Sequence, residues 1–197
     1  MSSVRKQVPE LCVEYGQQLE FRGSNDDALA MYESALSSTS GGGGGGSAEE
    51  HKDETRRAVC LAGVARCTLR SGDLRKGLRL ARGAGSSQLF RECAGILESM
   101  KQPAEAAAMY ELGGQDHRAA AIYVAAKDLD KAATVMPRVT QPKLLGQYAK
   151  ACEITGRWEQ ALEAYERARD MDSVVRLCLD QLDQSHRAFA IVRENAS

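Results

Sequence analysis

Aromatic side chains are scarce in this sequence: they make up 5% of its 197 residues, with a single Trp and three Phe. Ala is abundant instead. Such a composition suits closely packed helices better than β-sheet, whose pleated surface favours large and β-branched side chains. Long apolar runs are missing too. No stretch reaches the roughly 18 residues of a membrane-spanning helix, and the opening MSSVRKQVPELC lacks the apolar region of a secretory signal. No Cys-x-x-Cys pair occurs. The six cysteines, at 12, 60, 67, 93, 152 and 178, each sit among Leu, Val or Ala in a helical run. They read as small buried hydrophobes in a reducing compartment, not as zinc ligands or disulfides.

Residues for chemistry are equally sparse. The three histidines, His51, His117 and His186, are scattered, and no Cys lies near a His in a nucleophile signature. Six consecutive glycines lack the Lys and the preceding strand of a phosphate-binding loop. The acidic pairs Asp26-Asp27 and Glu49-Glu50 fit helix capping and a solvated loop. No nucleophile, base and orienting group can be assembled. The chain reads as non-catalytic, with no cofactor and no metal. A net charge of -1 argues neither for nor against a nucleic-acid or membrane partner.

What is present is a recurring helical frame. In Leu145–Ala168, two apolar-periodic runs flank a break at Thr155-Gly156-Arg157. Ala149 lies on the first run; Ala161, Tyr165 and Ala168 lie on the second, in the small-aromatic-small pattern of a tetratricopeptide hairpin. Placing Gly23 on Gly156 brings Gly16 onto Ala149, Ala28 onto Ala161, Tyr32 onto Tyr165 and Ala35 onto Ala168. A partial copy runs through Ala94, Ala106, Tyr110 and Gly113. Pro9, Pro103 and Pro142 can each open a helix, where the missing N–H costs nothing. The small residues at 106, 132, 161 and 188 are 26, 29 and 27 residues apart, shorter than the roughly 34 of ideal tetratricopeptide repeats. The expectation is an all-α, right-handed α-solenoid of about six short TPR-like hairpins, one domain over 1–197. Residues 37–53 are expected to form a flexible, disordered Ser/Gly-rich loop within it, because Gly gains least from ordering. A plain helical bundle is the alternative.

Charge is uneven. Residues 56–91 hold nine cations against Asp73, and residues 10–33 hold six carboxylates against Arg22. One reading is a solvated face whose two halves neutralise each other. The other is a basic patch of Arg66, Arg70, Arg75, Lys76, Arg79 and Arg82 that docks an acidic partner or an anionic membrane. Nucleic acid fits less well, since no aromatics interleave the patch. A clamp for a C-terminal carboxylate would need Asn on first helices, and only Asn25 and Asn195 exist. Trp158 reads as a packing residue beside a turn, with an exposed binding anchor as the alternative.

The ordered combination of LCVEYGQQLEFRGSNDDALAMYESAL, ESMKQPAEAAAMY and QYAKACEITGRWEQALEAYERA resembles the tetratricopeptide region of the WD-repeat subunits of intraflagellar transport complex A. The resemblance covers nearly the whole chain except the Gly-rich insertion. Those subunits carry N-terminal WD propellers, and no propeller sequence is present, so the chain reads as a fragment or a truncated product. The resemblance implies a scaffold of the cilium, ciliary base and cytoplasm. Its partners would be other complex A subunits and ciliary membrane cargo adaptors. Its roles would be retrograde transport, cilium assembly and receptor entry. A coat-like or tethering solenoid of vesicle traffic is the runner-up.

Overall fold

The computed structural model describes residues 2–39 and 47–195. Among them are twelve α-helices and no strand. They pair as six hairpins: α1 (Ser2–Phe21) with α2 (Asn25–Thr39), α3 (Ser47–Arg70) with α4 (Leu74–Ala84), α5 (Ser87–Ser99) with α6 (Pro103–Leu112), α7 (Asp116–Ala125) with α8 (Leu129–Val135), α9 (Pro142–Ile154) with α10 (Trp158–Ala168), and α11 (Met171–Asp180) with α12 (Ser185–Asn195). The chain forms two compact units, Met1–Gly113 and Gly114–Ser197, with three hairpins each. In the first unit α3 packs on α1, α2 and α5. In the second, α9 packs on α7 and α8, and α10 on α11.

Two boundaries differ from expectation. Part of the stretch expected as a loop over 37–53 is helical: α2 continues through Thr39 and α3 begins at Ser47. The sequence Ser-Ala-Glu-Glu-His-Lys-Asp-Glu carries good helix formers and no Gly, which suits helix from Ser47 onward. Residues 40–46, which hold the glycine run, lie outside the described residues. Pro9 does not open a helix. It lies inside α1, where it removes one backbone hydrogen bond from the ladder. Pro103 and Pro142 do open α6 and α9.

Each hairpin turns on one residue in the left-handed region: Gly23, Gly72, Lys101, Lys127, Gly156 and Asp183. From Gly72 onward these recur after 29, 26, 29 and 27 residues. In five of the six, the N–H that follows the left-handed residue donates to a carbonyl five residues back. The bonds are Ser24 to Leu19 (3.0 Å), Asp73 to Thr68 (3.1 Å), Gln102 to Leu97 (2.9 Å), Asp128 to Tyr123 (2.9 Å) and Arg157 to Cys152 (2.9 Å). This is the Schellman closure, which satisfies carbonyls at the helix end. The donor residue doubles as the cap of the next helix in four of them. Asp73 and Asp128 also accept the N–H of Lys76 and Lys131 through their side chains. Two residues therefore end one helix and start the next, which keeps every hairpin tight.

The second helix of a hairpin buries the small-aromatic frame. Ala28, Tyr32 and Ala35 are fully enclosed, as are Ala106 and Tyr110, and Ala161 and Tyr165. Gly16, Ala94 and Ala149 are buried on first helices, Ala168 is half-buried, and Gly156 stands exposed in its turn. The Tyr32 ring lies between Gly16 of α1 and Gly63 of α3. A Cβ at Gly16 would meet the ring at 3.1 Å, and one at Gly63 would overlap it. The aromatic thus spans the gap between consecutive first helices, and glycine on both sides makes room.

Two helical glycines should respond to Ala with opposite signs. Gly95 of α5 has open space at its Cβ position, so Gly95→Ala should stabilise by about 0.5–1 kcal/mol through helix propensity. Gly63→Ala should destabilise by about 1 kcal/mol or more, since overpacking against Tyr32 exceeds that gain. Equal shifts in melting temperature would contradict the packing of Tyr32. Lys127 holds φ at 58°, and Lys127→Gly should raise stability by about 0.5–1 kcal/mol by removing left-handed strain, measured by thermal unfolding.

Candidate functional site

The frame carries a polar counterpart that pattern reading did not detect. In three hairpins a Glu in the last turns of the first helix lies 12 residues before the buried Tyr of the second, and the Tyr hydroxyl donates to it. The pairs are Tyr32–Glu20 (3.0 Å), Tyr110–Glu98 (2.5 Å) and Tyr165–Glu153 (2.6 Å). In two of them the next hairpin adds arginine. Arg66 of α3 grips Glu20 through Nε (2.7 Å) and Nη2 (2.9 Å), and Arg70 adds a contact at 2.5 Å. Arg176 of α11 reaches Glu153 at 2.9 and 3.1 Å. Arg66 also donates to Glu92 of α5 at 2.9 Å. One guanidinium therefore joins all three hairpins of the first unit. A planar five-donor fork can do this; the point charge of Lys cannot.

Electrostatics follow from that geometry. The side chains of Glu20 and Arg66 are only 11% and 17% exposed. Burial opposes ionisation of Glu20, but hydrogen bonds from Arg66 and Arg70 outweigh it and hold the carboxyl at about 2. The hydrogen bond to Glu20 likewise raises Arg66 above its ordinary value. Burial, and then the Glu20 charge, push the Tyr32 hydroxyl up. Beside this cluster runs an open groove of about 660 Å³, edged by Phe21, which is 95% exposed.

The six cations of the basic stretch separate into two groups. Arg66 and Arg70 are consumed internally by Glu20 and Glu92. Here the basic and acidic halves do neutralise each other, helped by a hydrogen bond from Ser71 to Asp26 at 2.9 Å. Arg75, Lys76, Arg79 and Arg82 instead stand exposed on α4, whose opposite face buries Gly77 and Ala81. Trp158 opens α10 and is half-buried.

Among the described residues no three His, Cys, Asp or Glu side chains gather as a metal site. All three histidines are exposed, and five of the six cysteines are buried. Burial pushes the Cys67 and Cys93 thiols up to about 11, so they stay protonated at neutral pH and are weak nucleophiles. No helix among the described residues is long and apolar enough to cross a membrane.

Glu20 should leave an acid signature. Its folded value lies below its ordinary 4.5, so its stabilisation is complete above about pH 4.5 and is lost as pH falls toward 2, by about 3 kcal/mol in all. Glu20→Gln should cost about 2–4 kcal/mol at neutral pH, because Arg66 and Tyr32 lose their anionic partner. The stability gap between wild type and variant should narrow as pH falls through that window. A gap that stays constant would show that Glu20 is not the ionised partner.

No family model matches the chain. Among curated proteins it is 42% identical to mouse WD repeat-containing protein 19 over 191 residues, and 41% identical to the human protein over the same length. It is 37% identical over 192 residues to WD repeat-containing protein dyf-2 of Caenorhabditis elegans. These matches take in 97–98% of the chain, and the chain spans 13% of the length of each relative. Solved structures overlay loosely. One, from a functional characterization of Pseudomonas aeruginosa pilF, has a TM-score of 0.43 at 14% identity and covers 93% of this chain and 90% of that one. Another, a TPR protein of Thermus thermophilus, has a TM-score of 0.39 at 16% identity, with 93% and 98% covered. Through nearly all of its residues, this all-helical chain is homologous to one segment of the much longer WD repeat-containing protein 19 relatives.

Proposed function

We propose that the chain is a non-catalytic protein-interaction scaffold of intraflagellar transport complex A. The observation that carries this reading is the homology, 37–42% identical across 97–98% of the chain, to WD repeat-containing protein 19 and dyf-2. The architecture supports it. Short stacked hairpins create extended faces whose use is contact with other proteins. Turn spacing stays between 26 and 29 residues from Gly72 to Asp183, which favours reading both compact units as parts of one repeat array. On this reading the chain works beside other complex A subunits in the cilium, at its base and in the cytoplasm. It supports retrograde transport, cilium assembly and the entry of membrane receptors through cargo adaptors.

The tagged chain expressed in ciliated cells is expected to co-purify with other complex A subunits and to enter cilia. Recovery of coatomer or vesicle-tethering proteins in their place would overturn the assignment.

A further inference from the structure

The outward face of α4 is the strongest unneutralised charge feature on the first unit. Arg75, Arg79 and Arg82 follow one another at i, i+4 and i+7 and form a single stripe along the helix, about 10 Å long at 1.5 Å per residue. Lys76 flanks it. All four side chains are exposed, and α4 contains no acidic residue. Seven arginines elsewhere pair with carboxylates, at Arg56, Arg66, Arg70, Arg138, Arg157, Arg176 and Arg187. Among the described residues none of the four cations of α4 has such a partner. Asp73, the nearest acid in sequence, spends one carboxylate oxygen capping the helix at the Lys76 N–H. Gly83 lies exposed next to the stripe with open space at its Cβ position. A partner backbone can therefore come close to the helix there.

We infer that this stripe docks an acidic helical segment of a partner protein. Three of its four cations are Arg, whose planar forks match carboxylates in bidentate geometry. A partner helix with Glu at i, i+4 and i+7 repeats the same rise and sets its carboxylates opposite the three guanidiniums. A membrane fits less well. None of the exposed large apolar side chains lies on α4, so nothing there would insert among lipids, and charge alone holds a protein to a bilayer weakly. Nucleic acid lacks stacking aromatics on this face. The inference rests on the reading of the chain as a protein-interaction module and adds the chemistry of one partner.

The test is fluorescence anisotropy with the full chain. The probes are an Ala-based helical peptide with Glu at i, i+4, i+7 and i+11, its Gln counterpart, phosphatidylserine-containing vesicles and a DNA duplex. The Glu peptide should bind, the Gln peptide should not, and added salt should weaken the binding. Arg75→Glu/Arg79→Glu/Arg82→Glu should lower affinity at least about tenfold, with circular dichroism unchanged because the buried Gly77 and Ala81 are untouched. The milder triple Arg→Gln variant serves if charge reversal impairs folding, and it should also weaken binding. Arg22→Glu/Arg57→Glu, exposed cations in the α1–α2 turn and on α3, should have no effect. Equal affinity for the two peptides, unchanged affinity in the Gln variant, or tighter binding to vesicles or duplex overturns the inference. If the Glu peptide binds the stripe but complex A subunits fail to co-purify, the functional assignment falls and the docking stripe stands; the reverse pattern rejects the stripe alone.

Discussion

The first unit depends on the contact between Arg66 and Glu20. Glu20 lies in the last turn of α1, Arg66 sits near the C-terminal end of α3, and the same guanidinium continues to Glu92 on α5. Apolar packing between short helices is tolerant of sliding, because small residues meet small residues. A bidentate pair with both side chains mostly enclosed is not tolerant. A slide that separates Arg66 from Glu20 leaves a buried charge unpaired, at a cost of several kcal/mol. The pair therefore fixes register between hairpins more than it adds net stability. Arg176 and Glu153 repeat the arrangement in the second unit, with Tyr165 hydrogen-bonded to the same carboxylate.

Tyr is the residue through which packing and polarity meet. Its ring fills the space between small residues on adjacent first helices, and its hydroxyl reaches back to the Glu at the end of the first helix of its own hairpin. Phe would fill the same space but leave the carboxylate one donor short. This explains why a chain with so few aromatics keeps Tyr at the equivalent positions 32, 110 and 165. It also explains the surface. Cations facing a neighbouring hairpin are neutralised inside the stack, whereas those on the outer face of α4 have no carboxylate among the described residues.

Much of the architecture was legible in the residues. Four of the six turns were marked by Gly or by a Pro two residues on, and the small-aromatic frame placed the second helices of the first, third and fifth hairpins. The turns at Lys127 and Asp183 carried no such mark; at Lys127 a Schellman closure fixes the left-handed conformation through backbone bonds and tolerates a non-glycine residue at a modest cost, and the Asp183 turn closes instead by the Gln184 N–H to the Cys178 carbonyl. Pro9 misled because a helix packed on its neighbours can absorb one missing hydrogen bond. The Tyr–Glu pairs were visible in principle as a recurring spacing of 12. Nothing in one hairpin showed that its Glu would meet an Arg 46 residues further on, since that distance depends on how hairpins stack.

By itself, the sequence determined that the chain is helical, that it is built of short hairpins, and which apolar side of each helix faces inward. Those outcomes rest on local properties: periodicity, helix propensity and turn chemistry. Tertiary structure alone decided which charges are available. Arg66, Arg70, Arg75, Lys76, Arg79 and Arg82 look alike in a string of letters. Two became internal struts and four remained on the surface. The physical reason is that an ion pair forms where the fold brings opposite charges within about 4 Å and shields them from water, and sequence separation says nothing about that distance.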